Sequence, residues 1–199
     1  MTSVNVESSA LIESNVELGP RTRVWHLSHI RSGVSIGADC IIGRNVYVGS
    51  GVVIGNSCKI QNNACVYEPS ELGDGVFIGP GAILTNDVYP RAVNADMTLK
   101  TQRDWSLEKV KILTGASIGA GSICVAPVKI GRWAIVAAGA VVIEDVKDFA
   151  LVAGVPAKQI GWVGKSGYRL IEDKEHFWCP LTKEKFVIKN GILEELLTP

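Results

Sequence analysis

The stretch from Val34 to Gly55 reads VSIGADCIIGRNVYVGSGVVIG, and its large aliphatic residues return at every sixth position. The same spacing runs unbroken from Ile12 to Leu84, and it resumes in a shifted phase from Ile112 to Val142. An α-helix repeats near 3.6 residues and a strand at 2, so a period of six belongs to neither alone. It predicts a coil that turns a corner after each short strand.

Each repeat pairs a large residue with a small one, as Ile36 is followed four positions later by Cys40. Glycine often comes directly after the large residue, as Gly37 does, and we expect it to take corner conformations that a Cβ would obstruct. Three repeats close one triangular turn, so residues eighteen apart should lie above one another, about 4.8 Å apart along the axis. One turn cannot bury its apolar face alone, so the coils must stack. A β-sandwich would show irregular turn spacing and alternation at period two, so the sequence predicts an all-β fold of the parallel β-helix type.

The composition excludes several other classes. The 199 residues carry 20 basic and 20 acidic side chains, so there is no basic stripe for nucleic acid. No run approaches about 18 consecutive apolar residues, and the stretch Met1 to Asn5 has no export signal, so we expect no membrane partner.

Five cysteines are present, and none forms a C-x-x-C motif. Cys40 and Cys58 occupy the same repeat position and should stack inside the prism. Packing is favoured over a disulfide, because free cysteine serves as a small buried hydrophobe. This usage predicts the reducing cytoplasm.

The chain is predicted to contain a β-helix domain over residues 1–164 and a tail over 165–199. The repeat is absent over residues 90–113, and an inserted loop of this length is usually functional. Trp105 is expected to fix this loop to a neighbouring surface. The tail contains Asn190-Gly191 between two apolar runs, which predicts a hairpin that caps the prism or seals an interface.

The six-residue repeat resembles that of the bacterial hexapeptide acyltransferases, and four stretches narrow the resemblance. They are residues 24–30 (VWHLSHI), 59–63 (KIQNN), 84–94 (LTNDVYPRAVN) and 153–162 (AGVPAKQIGW). Together they are similar to acetyltransferases that modify the 3-amino group of a nucleotide-linked 2,3-diamino sugar acid. The resemblance implies a left-handed β-helix, a homotrimer, and acetyl-CoA as acyl donor with no metal. It also implies UDP-2-acetamido-3-amino-2,3-dideoxy-glucuronate as acceptor, for surface polysaccharide such as lipopolysaccharide O-antigen.

One segment departs from the family pattern. After Glu68 the family tends to continue Gly-Val-x-Leu-Glu-Asp, whereas residues 69–74 read PSELGD here. Gly73 therefore stands where the family has a second acidic residue, and it cannot hold substrate in that way.

Asn86 and Glu68 are the candidate catalytic residues. The eighteen-residue spacing puts Asn86 directly over Glu68, with Ser50 and Ser32 below. An asparagine offers an acceptor for the amine and a donor for the developing oxyanion, and a carboxylate can hold or deprotonate the sugar ammonium. We expect direct attack of the amine on the thioester, with its proton passing to the coenzyme A sulfur. Asparagine also suits turns, so both residues are compatible with ordinary corners.

Ten further residues are candidates for substrate binding: His26, His29, Arg44, Lys59, Gln61, Asn62, Asn63, Tyr67, Asp87 and Arg91. The two histidines lie about three coils below Leu84, roughly 14 Å away, so neither is expected to be the base. They are better placed to meet the nucleotide, or they are surface residues near a subunit contact.

Arg91 follows the end of the first block of repeats. A guanidinium matches a carboxylate with two parallel donors, so Arg91 is the candidate reader of a uronic-acid carboxylate. The alternative is a salt bridge within the loop, to Asp87 or Asp96.

Three residues are candidates for binding acetyl-CoA. Lys158 resembles the family's lysine near the phosphates of coenzyme A. The backbone groups of Ala120 and Ala138 are expected to contact the pantetheine arm.

Three other functions stay open at this point. The first is the same chemistry on a dTDP-linked 3-amino-3,6-dideoxyhexose, which lacks the carboxylate. The second is a catalytically silent β-helix that scaffolds a complex. The third is a metal hydratase, which needs about three imidazoles around one zinc, whereas the repeats contain only His26 and His29.

Overall fold

A computed structural model of the chain describes residues 3–101, 103–174, 176–189 and 191–196. The repeats form a left-handed parallel β-helix with three sheets along the sides of a triangular prism. Outside the coil that carries the inserted loop and the last coil, strand residues pair with the residue eighteen positions later, as Lys59 pairs with Phe77. The predicted fold and coil length are confirmed.

Most strands of the prism contain only two residues. Sheet I contains β1 (Asn5–Val6), β4 (Arg23–Val24), β7 (Ile41–Ile42), β10 (Lys59–Ile60), β13 (Phe77–Ile78), β16 (Ser117–Ile118), β19 (Ile135–Val136), β21 (Ala150–Ala153) and β22 (Lys158–Trp162). Sheet II contains β2 (Leu11–Ile12), β5 (His29–Ile30), β8 (Tyr47–Val48), β11 (Cys65–Val66), β14 (Ile83–Leu84), β17 (Ile123–Cys124) and β20 (Val141–Val142). Sheet III contains β3 (Glu17–Leu18), β6 (Ser35–Ile36), β9 (Val53–Ile54), β12 (Glu71–Leu72), β15 (Val110–Ile112) and β18 (Val128–Ile130). The described residues contain no helix long and apolar enough to cross a membrane.

The interior of the prism is a continuous apolar column. In most strands of the prism the last residue points inward, and Ile42 and Ile60 are among those fully buried there. Burial of one such side chain stabilises the fold by about 1.5–3 kcal/mol. Cys40 and Cys58 are also buried in this core, where the Cys58 amide donates to Cys40 Sγ at 3.4 Å and both remain free thiols.

The corners use glycine for a different reason from the one predicted. A Cβ on Gly37 would lie 2.7 Å from the carbonyl carbon of Gly55, so glycine is required there by the close approach of consecutive coils. The left-handed backbone occurs two residues later and is often taken by other residues, as at Asp39 (φ 60°) and Asn45 (φ 55°). Asparagine and aspartate tolerate this conformation better than other residues with a Cβ.

The inserted loop ends earlier than the predicted boundary at residue 113. Val110 and Ile112 are buried in β15, and Lys111 pairs with Glu71 rather than belonging to the loop. Glu71 pairs forty positions ahead instead of eighteen, so the loop adds twenty-two residues to one coil.

The tail forms a four-stranded antiparallel sheet: β23 (Ile171–Asp173), β24 (His176–Trp178), β25 (Lys185–Lys189) and β26 (Ile192–Leu196). Its strands β25 and β26 pair as a hairpin, in which Gly191 has φ 74° and Asn190 lies outside the described residues. The buried ring of Phe186 packs at 5.5 Å against Phe149, which belongs to the last coil. The tail therefore covers the C-terminal end of the prism.

Candidate active site

The candidate site residues divide between the two long edges of sheet II. The edge shared with sheet I, here called the I–II edge, carries His26, Arg44, Gln61, Asn62, Asn63, Ala120 and Ala138. The edge shared with sheet III, the II–III edge, carries Tyr67 and Glu68, and the inserted loop leaves from it with Asn86, Asp87 and Arg91. His29 lies on sheet II itself, Lys59 on sheet I and Lys158 on β22.

Glu68 is the most unusual residue of the II–III edge. Its side chain lies over Gly49 of the preceding coil, where the missing Cβ leaves room for the carboxylate. Its Oε2 atom is buried and accepts no hydrogen bond from any residue that the structure describes. A buried acceptor without a donor is costly, and a bound cation or donor would remove that cost.

Asn86 follows the last regular position before the loop. Val66 pairs with Leu84, so Glu68 and Asn86 stand at equivalent positions in consecutive coils. The Thr85 amide still donates to Cys124 O of the next coil at 3.0 Å, while the Asn86 carbonyl accepts from the Glu108 amide at 3.0 Å and closes the base of the loop. The amide side chain of Asn86 makes no hydrogen bond to another described residue.

The inserted loop encloses a cavity of about 530 Å³ next to Asn86. Asp87 lies at its wall and accepts a hydrogen bond from the Tyr89 amide at 2.9 Å. Trp105 also lines this cavity, so it packs within the loop itself. Arg91 donates to the carbonyl of Pro90 at 3.1 Å and makes no ion pair with any described carboxylate. The alternative of a salt bridge to Asp87 or Asp96 is therefore absent from the described part of the loop.

The I–II edge is a ladder of polar corner residues. Asn62 Oδ1 accepts from the Arg44 amide at 2.8 Å, and Asn63 Oδ1 accepts from Asn45 Nδ2 at 2.9 Å. His26 lies lower on this edge, where Nδ1 is 3.0 Å from Ser9 Oγ and Nε2 is 3.5 Å from Glu7 Oε2. The polar atoms of this histidine thus have partners within the chain.

Sheet II carries a network that sequence reasoning did not find. His29 Nε2 is 2.7 Å from Glu13 Oε1, and the His29 ring meets the Tyr47 ring edge-on at 5.8 Å. Arg31 donates to the Tyr47 hydroxyl at 3.2 Å. The hydrogen bond from His29, together with the nearby Arg31, lowers the pKa of Glu13.

The network continues upward to Tyr67, whose ring centroid is 5.2 Å from that of Tyr47. Burial raises the pKa of the Tyr67 phenol. His29 and Tyr47 are eighteen residues apart, so the repeat spacing was the signal that could have revealed the stack.

Two of the three candidate residues for binding acetyl-CoA lie on the I–II edge, and the third, Lys158, lies on β22. Ala120 and Ala138 are exposed and stacked, with the Gly139 amide donating to the Ala120 carbonyl at 2.9 Å. Lys158 is 64% exposed and lies 3.6 Å from Glu144 Oε2. Gln61 lies at the same edge, and the exposed Lys59 lies just before it on sheet I. The width of sheet II therefore separates Ala120 and Ala138 from Glu68 and Asn86.

The fold and its two polar edges define a hexapeptide-repeat protein. The model of the bacterial transferase hexapeptide matches residues 9–50 and 51–86, and that of the hexapeptide repeat of succinyl-transferase matches 33–68 and 114–144. Together these matches span more than half of the chain, which belongs to the hexapeptide-repeat family.

Two curated relatives are N-acetyltransferases by name. The chain is 36% identical over 92 residues to dTDP-3-amino-3,6-dideoxy-alpha-D-galactopyranose 3-N-acetyltransferase of Aneurinibacillus thermoaerophilus. The aligned region covers 46% of this chain and 47% of the relative. It is 38% identical over 88 residues to 2,3,4,5-tetrahydropyridine-2,6-dicarboxylate N-acetyltransferase of Staphylococcus aureus, covering 44% of this chain and 31% of that protein. The matches therefore span less than half the length of these relatives.

A solved structure with the same fold is AntD, an N-acyltransferase from Bacillus cereus in complex with dTDP and 3-hydroxybutyryl-CoA. The TM-score is 0.53 at 20% identity, over 82% of this chain and 81% of that one. This likeness concerns the fold.

Proposed function

We propose that the chain transfers the acetyl group of acetyl-CoA to the amino group of a nucleotide-linked amino sugar. Both named relatives are N-acetyltransferases, and one of them acts on a dTDP-linked 3-amino sugar. More specifically, we propose that the acceptor is a UDP-linked 2,3-diamino sugar acid. The chain would acetylate its 3-amino group in the synthesis of a surface polysaccharide. This proposal is supported by the resemblance of the stretches around His26, Asn62, Asn86 and Lys158.

The observation that carries this proposal is the buried, unpartnered Oε2 of Glu68 at the mouth of the inserted loop. A sugar amine arrives at neutral pH largely as an ammonium, a group that a carboxylate without another partner binds by charge-assisted hydrogen bonds. Glu68 would therefore bind the acceptor through the group that reacts. Asn86, one coil above, presents a free amide at the same edge.

The reaction follows from these two side chains. The ammonium gives one proton to Glu68, and from there it passes to solvent. The neutral nitrogen, held by Asn86, attacks the thioester carbonyl carbon and forms the new C–N bond. The amide donor of Asn86 stabilises the oxyanion of the tetrahedral intermediate. The C–S bond then breaks, and the second proton of the nitrogen passes to the departing sulfur to give the amide and free coenzyme A.

The proposal includes a homotrimer with sites between subunits. Ala120 and Ala138 lie on the I–II edge, the proposed donor edge, whereas Glu68 and Asn86 lie across sheet II on the II–III edge, the proposed acceptor edge. Six residues of extended chain separate equivalent points on the two edges, which is roughly 20 Å. A neighbouring copy would bring the donor edge of one chain against the acceptor edge of another, and it would close a concave pocket that flat prism faces lack.

Arg91 favours the sugar acid over a deoxyhexose. Its guanidinium stands near Asn86 in the chain and has no carboxylate partner among the described residues, so it is available to a uronic-acid carboxylate. A dTDP-linked 3-amino-3,6-dideoxyhexose would leave it unused.

The test is steady-state kinetics with acetyl-CoA and both nucleotide sugars, following release of the coenzyme A thiol and the mass of the acetylated product. Asn86→Ala should lower turnover by about a hundredfold, the usual cost of one lost oxyanion contact. Glu68→Gln should lower it by about tenfold or more, because the amide cannot accept the ammonium proton.

Two variants separate this mechanism from a histidine base. His26→Ala and His29→Ala should retain turnover. Loss of turnover in either histidine variant, with Asn86→Ala near wild type, would overturn the mechanism. Failure of wild-type protein to bind acetyl-CoA would favour a scaffold instead.

A further inference from the structure

The cavity inside the inserted loop has no role in the acyl-transfer step described above. It is walled by residues of the loop alone, it has a volume of about 530 Å³, and it opens beside Asn86. Pockets that bind small molecules and cofactors span about 300–1,000 Å³, so it is large enough for a nucleoside diphosphate.

Hydrogen bonds between loop residues shape the part of the loop around the cavity. Asp104 Oδ2 accepts from the Thr101 amide at 2.7 Å and from the Thr101 hydroxyl at 2.8 Å, and these bonds lower the pKa of Asp104. Asn94 and Thr98 close the tip through their backbones at 2.8 Å. The turns that carry the wall of the cavity are therefore held by contacts between loop residues.

The wall of the cavity carries charges of both signs. Its lining includes the carboxylates of Asp87, Asp104 and Glu108 and the cations Lys100 and Arg103, together with Trp105. Neither cation forms an ion pair with a described residue; Lys100 reaches only the Tyr89 carbonyl, at 3.4 Å. Carboxylates and cations in one cavity, without an ion-pair partner among the described residues, suit a ligand that carries both an ammonium and negative charge.

A nucleotide-linked amino sugar is such a ligand, and we infer that the loop cavity binds its nucleoside diphosphate. Lys100 and Arg103 bind the two phosphates, and the half-buried indole of Trp105 stacks on the base. The inference rests on the proposed function and deepens it, since it places the amino sugar between the cavity and Glu68. The rival location is the I–II edge at His26, Arg44 and Asn62, where His26 already has partners in Ser9 and Glu7.

The experiment is isothermal titration of the full chain with UDP, dTDP and inorganic pyrophosphate. Arg103→Ala and Lys100→Ala should each weaken all three ligands at least tenfold. Trp105→Leu should weaken UDP and dTDP by a similar factor and leave pyrophosphate unchanged, which separates base stacking from phosphate binding. Lys129→Ala, an exposed lysine on sheet III, is the matched control and should leave every affinity unchanged.

Unchanged dissociation constants in the three loop variants, or a loss confined to His26→Ala and Arg44→Ala, would overturn the inference. Wild-type protein that binds none of the three ligands would overturn it as well. Acetylation measured on the same samples keeps the two proposals apart. If wild type and all loop variants acetylate an amino sugar with equal Michaelis constants, the nucleotide does not bind in the loop cavity, but the proposed reaction stands. If the protein binds nucleotide and acetylates no amino sugar, the proposed reaction is wrong.

Discussion

The carboxylate of Glu68 occupies the space left by the missing side chain of Gly49 in the coil below. A Cβ on Gly49 would collide with Oε2 of Glu68 and with the backbone nitrogen of the same residue. The glycine thus determines where the candidate catalytic carboxylate lies. Elsewhere in the prism, a glycine at this repeat position is explained by the packing of consecutive coils alone. Gly49 also determines the position of the Glu68 carboxylate.

Gly49→Ala should therefore displace Glu68 and lower acetyl transfer by about tenfold or more, a size that follows from losing a positioned proton acceptor. It should also destabilise the fold by about 1–3 kcal/mol, because the coils must move apart. The measurement is turnover at a temperature where the variant is fully folded, beside a thermal unfolding curve.

Gly51→Ala is the matched control for this prediction. Gly51 has φ +68° and open space around its Cβ position, so alanine costs only backbone strain of about 1–2 kcal/mol. It should lower the melting temperature and spare turnover. Equal losses of activity in the two variants would show that the effect is destabilisation and that Gly49 has no role in placing Glu68.

Ser70 offers a stability test beside the same edge. Its side chain is 1% exposed, and its hydroxyl has no partner among the described residues. Equivalent positions in the coils below and above are the buried valines Val52 and Val110. An unsatisfied buried polar group costs about 1–3 kcal/mol, so Ser70→Val should stabilise the fold, by about 1 kcal/mol after some cost of overpacking.

Ser28→Ala is the counterpart, because the Ser28 hydroxyl is equally buried and donates to the Gly43 carbonyl at 2.7 Å. Its loss should destabilise the fold by about 1 kcal/mol. Chemical denaturation of both variants gives the two free energies of unfolding. A destabilised Ser70→Val would mean that a donor or a water molecule satisfies the hydroxyl in solution.

The columns of the prism could be predicted from sequence because one number, the eighteen-residue coil, sets the register of all three sheets. The placement of Asn86 above Glu68 follows from it directly. The eighteen-residue coil also assigns His26 and Asn86 to different edges of sheet II. This becomes clear only when each corner is assigned to the two sheets that it connects. The period places Glu13 below Arg31 and His29 below Tyr47, whereas the contact between Glu13 and His29 depends on side-chain directions, which no period encodes.

The inserted loop and the tail could not be predicted to the same depth. Neither contains the repeat, so no register constrains residues 86–109. The meeting of Lys100 and Asp87 in the wall of the loop cavity depends on turns built by Asn94 and Asp104. In the tail, the hairpin signal identified one pair of strands, whereas the two strands of the sheet before it lack a clear alternation.

The end of the loop is joined to sheet III through Glu71, which forms ion pairs with Lys109 and, at 3.2 Å, with Lys111. Hydrogen bonds from these lysines lower the pKa of Glu71 below 4.5. A lowered pKa means that this contribution to stability is complete above pH 4.5 and is lost as the pH falls through the lowered value. The difference in melting temperature between wild type and Glu71→Gln should therefore be constant near neutral pH and shrink below pH 4.5.

Lys109→Gln should give a smaller difference with the same pH dependence, because Lys111 still pairs with Glu71. Melting curves at half-unit steps from pH 7 to pH 3 provide the measurement. A Glu71→Gln difference that persists unchanged at the acidic end would assign the effect to packing rather than to charge.

Lys158 is the candidate contact to the phosphates of acetyl-CoA, and its only charged partner among the described residues is Glu144, at 3.6 Å. Lys158→Ala should raise the Michaelis constant for acetyl-CoA about tenfold and leave turnover nearly unchanged, because it removes binding common to the ground and transition states. Glu144→Gln frees the lysine and removes a nearby negative charge, so it should keep or lower that Michaelis constant. Both substrates are varied in the kinetics, and the Michaelis constant for the amino sugar should not move in either variant. An unchanged constant for acetyl-CoA in Lys158→Ala would refute the assignment and would move the phosphate contact away from β22.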